Sequence, residues 1–246
     1  MPESSDASAT CEPPRWRLSG MQATDEIAQA RVNLAEPHLG LVVPDGDAEM
    51  RLLGLELPEG CRPTEVWSRG ADLTAVYEPG DGRQLRVTAM WRAAEADEQL
   101  PGVRSWQMVL SAQTSRLSSL AELSVRSQRV GEVAEGCWHE GRVDWQHAAA
   151  GEVTCLRMCG PAAEGSGSCL VIAIHPDDAG VVEHDDGEAD ARLVRCCLFP
   201  RDVEKGVLLR SRVLVAVGPC QSLEAAEGWP DAVLRRFAGS EPILST

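Results

Sequence analysis

A chain of 246 residues with 23 Lys+Arg against 38 Asp+Glu carries a formal net charge of −15, and 43% of it is apolar. Those proportions belong to a folded protein with a sizeable core. The acid excess argues against nucleic acid as a partner, because binding a polyanion needs a basic surface that releases counterions.

Of the cations all but Lys205 are arginine. Lys205 lies in Asp202-Val203-Glu204-Lys205-Gly206, where two acids favour its charged form, so it reads as a turn residue and not as a Schiff-base amine. No stretch approaches the ~18 apolar residues of a membrane helix. The first fourteen residues hold acids, no base and no apolar run, unlike a secretory signal. Nine cysteines in no regular framework suit a reducing compartment. The expectation is a cytoplasmic protein with no membrane partner and no cofactor.

Along the chain, residues 1–20, rich in Ser, Pro, Ala and acids, read as a mobile tail ahead of a single β-rich domain over 21–246. A short helix is predicted next, with Thr24 as cap, Asp25 and Glu26 in its first turn, Ile27, Arg31 and Leu34 on one face, and Pro37 at its end. From about 41 to 217 the period is two. Leu85, Val87, Ala89 and Trp91 alternate with Gln84, Arg86, Thr88 and Met90; Trp106, Met108, Leu110 and Ala112 with Gln107, Val109, Ser111 and Gln113; and Leu123 and Val125 with Ser124 and Arg126. Ala71 to Tyr77 and Arg83 to Arg92 flank Glu78-Pro79-Gly80-Asp81-Gly82, a hairpin signal.

Later strands are predicted at Gly141 to His147, Val153 to Met158, Cys169 to His175, Arg192 to Phe199 and Val207 to Val217. The last two are joined through Lys205 and Gly206, and links so short imply antiparallel neighbours. A helix over about 230–238 closes the chain: Pro230 and Asp231 in its first turn, Val233, Leu234 and Phe237 on one face, Arg235 and Arg236 near its end, Gly239 beyond. The fold class is therefore mainly β, antiparallel, as a sandwich or one large twisted sheet, with short helices near both termini.

Trp67-Ser-Arg-Gly70 and Trp138-His-Glu-Gly141 precede Leu85 and Leu156 at the same spacing. Two readings account for this: a duplication into units of about 50–130 and 131–217, or chance matching of short β sequences. The stretch Trp67-Ser-Arg-Gly-Ala-Asp-Leu-Thr-Ala-Val-Tyr77, closed by Trp91-Arg92, resembles one in a family of uncharacterised bacterial proteins. That resemblance covers under a third of the chain and implies no catalytic residue.

Among residues able to carry chemistry, the cysteines lack the paired spacing of a structural zinc site and read as small buried hydrophobes; Cys155 and Cys159 share a strand face about 13 Å apart. A Cys137/His139 pair completed by His147 or His175 is the sharper alternative. The run from His175 to Asp190 holds seven acids and no base and reads as a solvated surface excursion. No nucleophile elbow, Walker loop or dinucleotide fingerprint is present. Seven Trp against two Phe and one Tyr either fill a sandwich core or, with arginines beside them, line a site for a small polar ligand.

The candidate binding residues are thus Trp67, Arg69, Asp72, Trp138 and His139. If the repeat is real, a site lies at the junction of the units, lined by Arg69 and His139. The expected function is a non-catalytic binding or assembly protein of the bacterial cytoplasm. The alternatives are an enzyme with its site between the two units, using His139, His175 or carboxylates with or without a metal, and a structural subunit of a homo-oligomer.

Overall fold

The computed structural model describes residues 15–45, 48–80, 85–95, 97–120, 123–129, 131–145, 148–149, 151–160, 167–185, 192–199, 202–219 and 228–241. Within them the period-two segments are strands. The first five are β1 (Trp16–Ser19), β2 (Gln22–Asp25), β3 (Ala30–Asn33), β4 (Leu41–Asp45) and β5 (Ala48–Glu56). There follow β6 (Cys61–Arg69), β7 (Asp72–Pro79), β8 (Leu85–Ala93), β9 (Arg104–Thr114), β10 (Ser118–Leu120) and β11 (Leu123–Arg129). Then come β12 (Glu132–His139), β13 (Arg142–Asp144), β14 (Cys155–Cys159), β15 (Ser168–Ile174) and β16 (Gly180–His184). Last are β17 (Arg192–Leu198), β18 (Asp202–Glu204), β19 (Leu208–Pro219) and the helix α1 (Trp229–Ala238).

The protein is mainly β, and every strand pairing is antiparallel. One sheet has the order β1-β2-β3-β4-β5-β11-β17-β16, a second the order β13-β12-β14-β15-β19-β9-β8-β7-β6, and β10 pairs with β18 in a small ribbon. The two large sheets stack face to face. Leu52, Leu55, Leu123, Val125 and Cys196 of the first share one buried cluster with Leu73, Ala75, Val87, Trp91 and Leu156 of the second. Buried polar groups bind across the gap: the Tyr77 hydroxyl donates to the Leu34 carbonyl at 3.1 Å, and the Trp91 indole donates to the Leu53 carbonyl at 3.4 Å. Three of the seven Trp, Trp16, Trp91 and Trp106, are fully buried here.

One outer face is covered as well. Trp229, Val233, Leu234 and Phe237 of α1 pack on Cys155, Cys169, Val171, Ala173, Leu214 and Ala216 of the second sheet, forming a smaller core. The helix lies where Pro230, the charge pattern and Gly239 place it, and the Gly239 amide closes its end on the Arg235 carbonyl at 3.1 Å. Gly218 is what lets it sit down: a Cβ there would come within 2.8 Å of the Trp229 ring.

Several expectations need correction. Residues 24–36 hold the end of β2, a turn, and β3 with the turn after it, and not a helix, because Ala28, Ala30, Val32 and Leu34 alternate into the core and β2 and β3 pair in register. The tail does not reach residue 20: Trp16 is buried and its indole donates to the Ala71 carbonyl at 2.9 Å. Residues 1–14 lie outside the described residues, as do Asp81 and Gly82 of the β7–β8 turn. Despite their short link, β17 and β19 are not neighbours; the chain changes sheet between them, and β18 pairs with β10 instead. Both halves of the chain contribute strands to both sheets, so residue 130 is not a boundary between sheets.

The acidic segment is not a free excursion either. Gly180–His184 is an edge strand on β17, and the cation that its acids lack in sequence arrives from β19 as Arg212. Asp178 accepts the Arg212 backbone amide at 2.7 Å and its Nε and Nη2 at 3.0 and 3.2 Å. Residues Asp186 to Asp190 lie outside the described residues.

Candidate site beneath the C-terminal helix

The two Trp-bearing hairpins stand at opposite edges of the nine-stranded sheet, β6–β7 at one and β12–β13 at the other. Seven strand spacings at ~4.8 Å put roughly 34 Å between β6 and β12 along the sheet. Arg69 and His139 therefore line no common junction, and the site placed between repeated units is corrected. Trp67 is 43% exposed and Arg69 is exposed beside it. Trp138 is spent on packing: its indole donates to the Ile174 carbonyl at 2.7 Å and its amide to Thr154 Oγ1 at 3.2 Å. His139 is exposed where the chain turns back through Glu140 and Gly141, with φ of 48° and 75°.

His175 follows Ile174, whose carbonyl the Trp138 indole reaches, but its ring does not share the exposure of His139. It is buried behind α1, where its ring meets Phe237 edge-on at 5.0 Å. Its Nδ1 accepts the Asp177 amide at 3.2 Å. Burial first, and then the charge of Arg212, hold its pKa below the ordinary histidine value. His147 lies outside the described residues, and among the described residues no three His, Cys, Asp or Glu side chains are grouped to hold a metal ion.

What the hairpins fail to make, the helix supplies. Between α1 and the outer face of the second sheet is a cavity of about 230 Å³. Leu100, Val103, Leu214, Val233 and Phe237 give it apolar walls, and Gln107 of β9 also lines it. The Gln107 Nε2 is buried and has no hydrogen-bond partner. A buried amide N–H without an acceptor costs about 1–3 kcal/mol, so Gln107, which lines the hollow, is a residue where an acceptor is wanted.

The two arginines at the rim are matched to acids. Arg92 lines the cavity and is clamped by Asp72 through contacts of 2.6 and 2.7 Å, which raise the pKa of the guanidinium further. Arg236 binds Asp97 and the Gln99 side chain. Asp72 thus keeps a role, though as the support of a lining residue. The sequence signal that could have found this place is the amphipathic helix: its apolar face, Trp229, Val233, Leu234 and Phe237, has to cover something.

A second concavity, about 840 Å³ and open, lies on the first sheet at the ends of β5, β11 and β17. Its centre is Glu56, which accepts from Ser124 Oγ, from Arg195 Nε at 3.2 Å and from Arg126 Nη1 at 3.4 Å. Burial works against the charge of Glu56, but the Ser124 hydroxyl and the two guanidinium groups outweigh it and lower the pKa. These polar groups satisfy one another. Gln107, by contrast, lines the cavity beneath α1 with its amide nitrogen unpartnered.

The fold and cavity define a class, an antiparallel β sandwich with one outer face roofed by a helix. No family model and no curated protein matches the sequence. Among solved structures, the chain is similar to a heparinase III, the BT4657 gene product, at 13% identity and a TM-score of 0.35, over 72% of this chain and 24% of that one. The form of that product with methylated lysines gives 14% and 0.34 over the same shares. The chain spans about a quarter of the length of these proteins, and a likeness so shallow says nothing of what it does. No helix among the described residues is long and apolar enough to cross a membrane.

Proposed function

We propose that this chain is a non-catalytic binding protein and that the cavity beneath α1 takes a small, uncharged, largely apolar molecule bearing one carbonyl acceptor. The observations that carry this reading are an apolar-walled hollow lined by Gln107 and the lack of a hydrogen-bond partner for the buried Gln107 Nε2. The volume equals seven or eight waters at ~30 Å³ each, which suits a molecule about the size of a substituted benzene. The rim supports an uncharged ligand: Arg92 and Arg236 are already paired with Asp72 and Asp97, and Glu95, exposed at the mouth, repels an anion. The enzymatic alternative finds no such support, since the His175 ring is buried behind α1 while His139 is exposed at the β12–β13 turn.

Saturation-transfer NMR with acetophenone, and with ethylbenzene as its carbonyl-free counterpart, tests the proposal on the full chain. Acetophenone is expected to bind better, and Ala94→Trp, which plugs the mouth from an exposed position, to abolish binding of both. Gln107→Leu should weaken acetophenone roughly three- to tenfold, the worth of one neutral hydrogen bond. Failure of either compound to bind, or binding indifferent to Ala94→Trp, overturns it.

A further inference from the structure

We infer that Cys159 and Cys169 are a redox pair that closes a cross-strand disulfide under the first turn of α1. The two residues stand directly opposite in the β14–β15 ladder. Whether opposed residues can be bridged depends on their place in the antiparallel alternation, and two backbone hydrogen bonds fix it. Ile174 donates to Thr154 at 2.9 Å at one end of the ladder, and Gly160 donates to Ser168 at 3.1 Å at the other. Both belong to pairs in which hydrogen bonds are exchanged. Alternation then makes Leu156/Ile172 and Met158/Leu170 hydrogen-bonded pairs and leaves Cys159/Cys169 a non-hydrogen-bonded one.

In such pairs the Cα atoms approach to about 4.5 Å and the side chains lie closest, which is within the Cα range of about 4.4–6.8 Å that a disulfide spans. No other cysteine among the described residues faces a cysteine across a ladder: Cys155 opposes Ala173, Cys196 opposes Val125 and Val182, and Cys137 opposes Asp144. The inference is independent of any ligand in the cavity.

The geometry also assigns the order of events. Cys159 is partly exposed and Cys169 buried, so Cys159 is the sulfur that meets an oxidant. With a low-molecular-weight disulfide as oxidant, the Cys159 thiolate attacks one of its sulfurs, the sulfur–sulfur bond breaks, and one thiolate leaves with the electron pair. The Cys169 thiolate then attacks the Cys159 sulfur of the mixed disulfide and expels the second thiolate. The protein loses two protons and two electrons, and the oxidant becomes two thiols. Cys169 opposes Gly218 on its other side, and Trp229 rests on Gly218, so the new bond forms beside the indole that seats the helix.

The test is oxidised glutathione on the native full chain, alkylation, then trypsin. No Lys or Arg lies between Arg157 and Arg192, so both sulfurs fall in one peptide, 158–192, which holds no other cysteine. That peptide is expected two hydrogens lighter and unalkylated, and restored to two alkylated thiols by dithiothreitol. Cys169→Ser, which removes the resolving sulfur, should instead trap glutathione on Cys159. A peptide that stays fully alkylated, or that carries glutathione on both sulfurs in the parent chain, overturns the inference. So does a Cys169→Ser chain with no adduct.

Discussion

Asp178 is an acid whose removal the fold should feel strongly. Arg212 has a side chain only 3% exposed, and Asp178, 11% exposed, meets it through Nε and Nη2 and also receives its backbone amide. Asp178→Ala leaves the guanidinium buried with the Ser240 carbonyl at 3.2 Å and a distant carboxylate, that of Asp177 at 3.7 Å and 74% exposed. Breaking one side of a buried ion pair costs about 3–5 kcal/mol, and the residual pull of Asp177 sets the expectation near the lower figure, about 3 kcal/mol. At roughly 2–4 °C per kcal/mol for a chain of this length, Tm should fall by about 6–12 °C. Urea titration followed by circular dichroism reads the loss directly, with an unchanged m-value as the check that unfolding stays two-state. Asp177→Ala, which removes only an exposed contact, should cost under about 1 kcal/mol. Asp178→Leu with Arg212→Met, which leaves no buried charge, should recover most of the loss. If Asp178→Ala costs no more than Asp177→Ala, the buried pair does not hold this part of the fold.

His175 gives a pH dependence of definite sign. Its folded pKa lies below the ordinary 6.5, so the unfolded ring takes its proton first; the stability due to this group is present above 6.5 and is lost as pH falls through the folded value. Urea midpoints taken between about pH 7.5 and pH 5 should therefore decline more steeply in the parent than in His175→Leu, and parallel slopes would contradict the assignment. Gly218→Ala should cost about 1–3 kcal/mol through overpacking, with a red shift in tryptophan emission as Trp229 is lifted from the Pro219 carbonyl it now reaches at 2.9 Å. An unchanged spectrum and midpoint would mean that the helix seat has slack.

β7, β8, β9, β11, β14, β15, β17 and β19, and α1, were legible because their signals are local: alternation, turn residues and end charges lie within a few positions of one another. Residues 24–36 misled because Asp25, Glu26, Ile27 and the alanines carry helical propensity, while burial of Ala28, Ala30, Val32 and Leu34 against a sheet decided the matter. The link from β17 to β19 misled for the opposite reason, since a short connection constrains distance and not sheet membership. The cavity could not be read at all. Gln107, Leu214 and Phe237 meet only after β9, β19 and α1 have been assembled, and nothing near Gln107 in sequence says that its amide will find no acceptor. The pairing of Cys159 with Cys169 is likewise a matter of register, which cysteine spacing alone does not contain.

The position of β19 bears on how the protein is made. It follows all the other described strands in the chain, yet it lies in the middle of the nine-stranded sheet, between β15 and β9. Until Leu208 to Pro219 have left the ribosome, that sheet exists as two separate fragments. Each presents an open inner edge, one lined by Trp106 and Met108 and the other by Ile172 and Ile174. Such edges are templates for pairing with any strand that comes first. A nascent or truncated chain that stops short of Leu208 is therefore the form of this protein most exposed to aggregation and most in need of a chaperone, and its yield should depend on the speed with which residues 208–219 are translated.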